Sequence, residues 1–496
     1  MMYHSTRSAD EKITSAQAIV KGIATDGGLY IPENIPQISL DDISRLSTMN
    51  YKSRACGVLG LFLTDYTSEE IEKCVENAYS KENFETEAIA PLYELTDNAY
   101  VLELWHGPTC AFKDMALQIL PHLLTCAVKK TGEDKTVVIL VATSGDTGKA
   151  ALEGFKDVDG TKIMVFFPED GVSRVQKLQM STQSGSNVMV SGVYGNFDDA
   201  QTGVKKIFGD SEFDAQAQAG GFSLSSANSI NWGRLVPQIV YYVSAYCDMV
   251  KSGAIALGDK INICVPTGNF GNILAAWYAK SMGLPVAKLI CASNKNNVLT
   301  DFIKTGIYDK NRDFYTTMSP SMDILISSNL ERLLCLMSDE KEAAGYMKSL
   351  VETGRYEVSD CIKQKIKDEF YGGCCDDSQT QATIRDIWQK YEYLADTHTA
   401  VACDVYNRYV NETGDTTKTV IASTANPFKF SGSVLSAIYD GDLSAMDEFE
   451  IIDMLSEMTG QKVPQSLAEL KEKEVRFSGK CEKTYMPQAV KNFLGI

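Results

Sequence analysis

Residues 136–148 read TVVILVATSGDTG, an unbroken apolar, β-branched run that ends in a turn built from Ser144, Gly145, Asp146, Thr147 and Gly148. A helix-like stretch, 149–155, follows it. An apolar run without polar alternation suits a strand buried on both faces, as in parallel sheets covered by helices. The same succession recurs at 261–272, INICVPTGNFGN, before a helix-like stretch at 273–279, and at 419–430, TVIASTANPFKF. Further strands are predicted at 100–105, 162–167, 187–190 and 287–292, with amphipathic helices at 172–184, 198–208 and 235–250. From about residue 96 onward this alternation predicts an α/β fold with parallel sheets covered on both faces. Ligands in such sheets bind beyond the carboxyl ends of the strands, where each of the Gly-rich turns falls.

Residues 106–118 read HGPTCAFKDMALQ and place Lys113 between the strand-like stretch at 100–105 and a helix-like one at 115–128. A lysine held between Phe112 and Asp114 at the opening of a helix is a candidate imine-forming amine, because lysine becomes a nucleophile when its surroundings lower its pKa. A buried strand that turns through Gly and small polar residues into a helix presents free N–H groups, and these bind anions. An imine lysine with two such turns suits a phosphorylated carbonyl cofactor and an amino-acid carboxylate.

Two other readings of the turns fail on spacing. TSGDTGKA is not a triphosphate loop, since Gly145 and Gly148 stand too close and Ala150 occupies the position of a magnesium-binding hydroxyl. TGNFGN lacks the spacing of a dinucleotide fingerprint, and the following strand ends in Ser293 and Asn294 with no acid for a ribose.

A chain of 496 residues divides into more than one lobe. Residues 1–95, with the turn DGGLYIP at 26–32, read as an N-terminal lobe; 96–440 read as the catalytic core, with a helical insertion at 338–393 and a turn at Gly372 and Gly373; 441–496 read as a charged C-terminal segment without a chemical motif. The net charge of −18 argues against a nucleic-acid partner. No apolar run is long enough to span a membrane, and the first residues read as neither secretory signal nor transit peptide. Thirteen scattered cysteines without a CxxC pair suit reduced thiols in the cytoplasm. The four histidines, His4, His106, His122 and His398, have no metal-ligand spacing, so no metal is expected.

HGPTCAFKDMALQ, TSGDTGKAAL, SANSINWGRLVPQIVYY at 226–242, VPTGNFGN and STANPFKF occur in the order found in threonine synthases, and the chain resembles the longer microbial and fungal class of that family. The resemblance covers roughly residues 5–435 and implies fold type II of the pyridoxal-phosphate enzymes, the tryptophan synthase β fold. It implies Lys113 as the imine lysine. It further implies Gly268, Asn269, Phe270, Gly271 and Asn272 as the cofactor-phosphate loop, Thr424 as the partner of the pyridine nitrogen, and the Ser144, Gly145, Asp146, Thr147 turn as the seat of the substrate carboxylate. Where many relatives carry His after Thr-Ala, this chain has Asn426, so no proton-transfer role is carried over to that position.

The implied reaction converts O-phospho-L-homoserine and water to L-threonine and phosphate, with pyridoxal 5′-phosphate as cofactor. The substrate's own phosphate needs a second anion site, for which Arg234, Asn228, Ser229 and Lys177 are the candidates; a structural salt bridge is the competing role for Arg234. Two alternatives stand beside this reading. One is a phospholyase of the same fold releasing 2-oxobutyrate. The other is a non-catalytic relative serving as a binding module. A monomer or homodimer is expected.

Overall fold

The computed structural model describes every residue of the chain apart from Ser144, Asp170 and Gly171. Two parallel-type sheets organise it. The larger has six strands in the order Phe370–Cys374, Val286–Ser293, Ile261–Pro266, Thr419–Ser423, Ala99–Glu103 and Leu92–Thr96. All its neighbours are parallel except the last pair, which is antiparallel. The smaller has five parallel strands in the order Lys480–Glu482, Val188–Tyr194, Thr161–Pro168, Thr136–Ala142 and Phe222–Ser225.

The seven strands predicted from apolar runs are the interior strands of these two sheets. They carry Val, Ile, Leu and Ala because helices cover both faces. The helix Trp232–Ser252 is buried on nearly all sides. It packs on Gly271–Ser281 and on Tyr51–Phe62 of the N-terminal part.

The expected helical insertion at 338–393 needs correction. Its helices are present at Glu340–Glu352, Asp360–Glu369 and Asp377–Tyr391. Between the last two, however, the chain forms Phe370–Cys374, the edge strand of the larger sheet, paired with Val286–Ser293. Gly372 and Gly373 are therefore strand residues and not a turn. A Cβ on Gly373 would come within 2.6 Å of Val405, and one on Gly372 within 3.2 Å of the backbone of Thr300. Glycine lets flanking helices close onto the strand. The C-terminal segment also has a structural task, since Lys480–Glu482 adds an edge strand to the smaller sheet and the helix Met486–Leu494 packs beside it.

The first residues form a three-stranded sheet, Ser8–Ile13, Tyr3–Ser5 and Tyr30–Pro32, followed by helices. Fully buried Arg332 ties this part to the core. Its guanidinium donates to Tyr30 O at 3.0 Å, to Asn329 Oδ1 at 2.5 Å and to Ile230 O at 2.5 Å. Among the described residues no helix is long and apolar enough to cross a membrane.

Candidate active site

The carboxyl ends of the strands surround a cavity of 260 Å³, lined among others by Lys113, Asp146, Arg234, Asn272, Ser321 and Thr424. Lys113 is held there by its neighbours. The Phe112 N–H donates to Thr424 O at 2.8 Å, and Ala111 pairs with Ala425, which fixes the lysine beside the end of Thr419–Ser423. Its buried Nζ donates to Ser321 Oγ at 3.0 Å and to Asp146 Oδ2 at 3.2 Å. Burial pushes the Lys113 amine below its ordinary value; Asp146 opposes that shift, and Lys429 and Arg234 reinforce it.

Asp146 opens the helix Asp146–Phe155, and its other oxygen, Oδ1, lies 2.7 Å from Lys429 Nζ. Burial works against its charge, but Lys429 and Lys113 outweigh burial and hold the carboxyl far below the usual carboxylate range. The Asp146 side chain is thus taken up by two lysines of the protein itself. The Gly145 and Gly148 N–H groups are likewise engaged, each donating to Thr143 Oγ1 at 3.0 Å. Thr147 does line the cavity. Ser144, assigned to the same turn, lies outside the described residues.

The turn at 267–272 is built differently. Gly268 O accepts from Ser327 Oγ at 2.7 Å, and Asn269 O accepts from the Asn329 N–H at 3.1 Å and its Nδ2 at 3.0 Å. A trans peptide points C=O and N–H to opposite sides, so the N–H groups of Asn269 and Phe270 face away from residues 327–329. Both residues line the cavity. Phe270, with φ 65°, takes the left-handed conformation that swings the chain into the helix Gly271–Ser281. Gly268 is needed for space, since a Cβ there would sit 2.7 Å from Ser321 O. Asn272 Oδ1 accepts from Tyr241 OH at 2.8 Å and from Tyr242 OH, which leaves its buried Nδ2 with no protein partner. Free N–H groups, an orphaned amide donor and a helix N-terminus fit a bound phosphate.

Arg234 lines the same cavity, buried in the first turn of Trp232–Ser252. It donates through Nη1 to Ala227 O at 2.5 Å, and its Nε has no partner. No carboxylate of the described residues lies within ion-pair distance, so the structural salt bridge considered for it is not there. Burial pushes its guanidinium down to about 10, still above neutral pH. Asn228 and Ser229 line the cavity beside it, and so does Thr424. Lys177 does not join them. Its Nζ is held 2.6 Å from Glu169 Oε1, and the helix Arg174–Ser181 turns Gln176 toward the cavity instead, with Nε2 3.4 Å from Asp146 Oδ1.

Comparison with known proteins matches this architecture along the chain. Residues 2–79 match the threonine synthase N terminus, 86–425 the pyridoxal-phosphate dependent enzymes and 399–493 the threonine synthase C-terminal region. Threonine synthase of Pseudomonas aeruginosa is 38% identical over 443 residues, covering 88% of this chain and 90% of that protein. The chain belongs to the threonine synthase family. The crystal structure of PLP-bound threonine synthase from Brucella melitensis has a TM-score of 0.88 at 35% identity, covering 100% of each chain. Threonine synthase-like 1 of Homo sapiens is 42% identical over 435 residues, which are 85% of this chain but 58% of that longer protein. The fold is thus fold type II, and the cofactor of this threonine synthase relative is pyridoxal 5′-phosphate.

Three side chains at the site carry no signal in the sequence as read above. Ser321 sits in the short 3₁₀ turn Pro320–Met322, and its hydroxyl meets both Lys113 Nζ and Asp146 Oδ2, the latter at 3.4 Å. His398 orients that turn by accepting the Ser321 N–H at Nε2 over 3.2 Å, while Nδ1 lies 2.9 Å from buried Asp396 Oδ1. The ring thus bridges buried Asp396 and the Ser321 backbone. Lys429 stands in a quoted motif, STANPFKF, but its partner Asp146 is distant in sequence. Only an Asp-x-His pattern just before a helix, DTH at 396–398, could have drawn attention to His398.

Proposed function

We propose that this chain converts O-phospho-L-homoserine and water to L-threonine and phosphate. The observation that carries the reading is Arg234, a buried guanidinium without a carboxylate, facing the same cavity as Lys113 and a separate anion cradle. A substrate with a carboxylate and a phosphate, together with a phosphorylated cofactor, needs more than one such seat.

Bound pyridoxal 5′-phosphate supplies an electrophilic carbonyl and a sink for negative charge that develops on the substrate carbons. The residues 268–272 hold its phosphate through the Asn269 and Phe270 N–H groups and Asn272 Nδ2. Thr424, which lines the cavity, would offer the ring nitrogen a hydroxyl and not a carboxylate. Lys113 Nζ would be the amine that meets the cofactor carbonyl, and an amine with a lowered pKa at this position is available as a base for the substrate α-proton. Ser321 orients that nitrogen and is itself set by His398. Arg234 with Asn228 and Ser229 grips the substrate phosphate by charge-assisted hydrogen bonds. Thr147 and the start of the Asp146–Phe155 helix lie where the substrate carboxylate would rest. Thirteen unpaired cysteines support a reducing location, the cytoplasm.

The alternative reading is a phospholyase of the same fold, which would release 2-oxobutyrate without adding water at the β-carbon. Incubation with O-phospho-L-homoserine, with threonine, phosphate and 2-oxobutyrate all quantified, separates the two. Threonine and phosphate in equal amounts are expected. Phosphate accompanied by 2-oxobutyrate in place of threonine, or no phosphate at all, would overturn the proposal.

A further inference from the structure

The Lys429 side chain is wholly buried. It sits on the short turn Pro427–Phe430 that follows the strand Thr419–Ser423. Its Nζ reaches Asp146 Oδ1 at 2.7 Å and Thr109 O at 2.9 Å. Thr109 belongs to the loop that delivers Lys113, and its own N–H and hydroxyl are bound to Asp114 at 2.8 and 2.7 Å. Lys429 thus joins three segments around the reactive amine. As a mere tie it is a poor choice, because burying two opposite charges costs about as much as their attraction returns, and well-packed apolar groups do the same task as well or better.

The two oxygens of Asp146 divide the lysines between them, Oδ1 to Lys429 and Oδ2 to Lys113. A buried carboxylate facing Lys113 alone would lock it as an ammonium ion, useless as nucleophile or base. We propose that Lys429 is a positioning residue that holds Asp146 in a permanent ion pair, so that Lys113 has an anionic neighbour without being trapped by it. The inference rests on reading Lys113 as the reactive amine.

The charged and titratable groups facing Lys113 are few. Asp146 and Lys429 are in the pair itself, and Arg234 approaches from Trp232–Ser252. Asp114 lies beneath the Thr109 loop. His398 reaches the site through the Ser321 N–H, with Asp396 behind it. Asp323 lies past Ser321 and accepts from Asn294, Asn296 and Thr317. Of these, Lys429 alone contacts the carboxylate oxygen that Lys113 does not use.

The test follows the visible absorbance of the holoenzyme against pH, which reads protonation at the Lys113 nitrogen. Lys429→Met is expected to raise the midpoint and Asp146→Asn to lower it, each by roughly 1–3 pH units, the usual effect of a charge at this distance. The double variant should fall between the two, and Lys429→Arg should lie near the unsubstituted protein. An unchanged midpoint in Lys429→Met, with only a lowered melting temperature, would make Lys429 a structural tie and overturn the proposal. Should Lys429→Met fail to fold, Lys429→Gln takes its place, and an unchanged midpoint there would overturn the proposal instead. Borohydride fixation followed by peptide mapping is run on each variant. A label away from Lys113 would sink the underlying reading, whereas a label on Lys113 with an immobile midpoint sinks only the role of Lys429.

Discussion

The turns at 143–148 and 267–272 look alike as sequence. Each follows a buried strand, carries two glycines and opens a helix, and on composition alone each is an anion seat. In three dimensions they differ in what their polar groups already hold. The first has the Gly145 and Gly148 N–H groups on Thr143 and presents an ionised side chain, Asp146, clasped by two lysines. The second has its carbonyls turned back onto Ser327 and Asn329, which leaves donors facing the cavity and an amide with no partner. At the first turn the Asp146 side chain gathers lysines, whereas at the second the open donors are arranged to receive an anion. The capacity of a strand-to-helix turn to bind an anion depends on which of its N–H groups remain free, and neighbouring segments decide that.

The strongest way to break this contrast is at the residue between the turns. Lys113→Ala removes the proposed base and the amine that engages the cofactor, so phosphate release from O-phospho-L-homoserine should fall at least about 10²–10⁴-fold. Retention of activity within about tenfold would move the base elsewhere. Arg234→Ala comes next. Loss of one charge-assisted contact of about 1.5–3 kcal/mol lowers kcat/KM roughly 10–150-fold while cofactor affinity stays unchanged. A normal kcat/KM with a lowered melting temperature would return Arg234 to the scaffold. Gly268→Val sharpens the second turn. Its Cβ would meet Ser321 O at 2.7 Å, and such overpacking costs about 1–3 kcal/mol, weakening cofactor affinity by roughly tenfold or more in titrations of the apo-protein. Unchanged affinity would place the phosphate elsewhere.

Legibility in the sequence followed packing. All interior strands of the six- and five-stranded sheets were predicted, from runs such as VVIL and INIC. The four edge strands of these two sheets, Leu92–Thr96, Phe222–Ser225, Phe370–Cys374 and Lys480–Glu482, were missed, as was the small N-terminal sheet. An edge strand has a neighbour on one side only and needs no continuous apolar run; KCE and FYGGC read as loop or turn. The site divides in the same way. Lys113, the turn at 267–272 and Arg234 lie in contiguous motifs and come together in one cavity. The Asp146–Lys429 pair and the Asp396, His398, Ser321 relay join segments far apart in the chain, and no local pattern encodes such a meeting. Within the turn at 267–272 the positive φ falls on Phe270, which no glycine pattern in the sequence marks.

The smallest expected effect tests the helix Arg174–Ser181, whose two adjacent polar residues diverge. Lys177 points to Glu169, and Lys480 also reaches that carboxylate, at 2.5 Å, so Glu169 stays paired when Lys177 is removed. A partly exposed ion pair contributes about 0–1 kcal/mol, so Lys177→Ala should leave kcat/KM for O-phospho-L-homoserine within about fivefold of the unsubstituted protein. Gln176→Ala, one residue away, removes the amide that faces Asp146 across the cavity and should have the larger effect of the two. The comparison requires steady-state kinetics on both variants at one ionic strength, because an exposed lysine also acts through screened long-range attraction of an anionic substrate. If Lys177→Ala raises KM more than Gln176→Ala does, and does so equally at high salt, then the helix rotates when substrate enters. In that case Lys177, and not Arg234 alone, reaches the substrate phosphate.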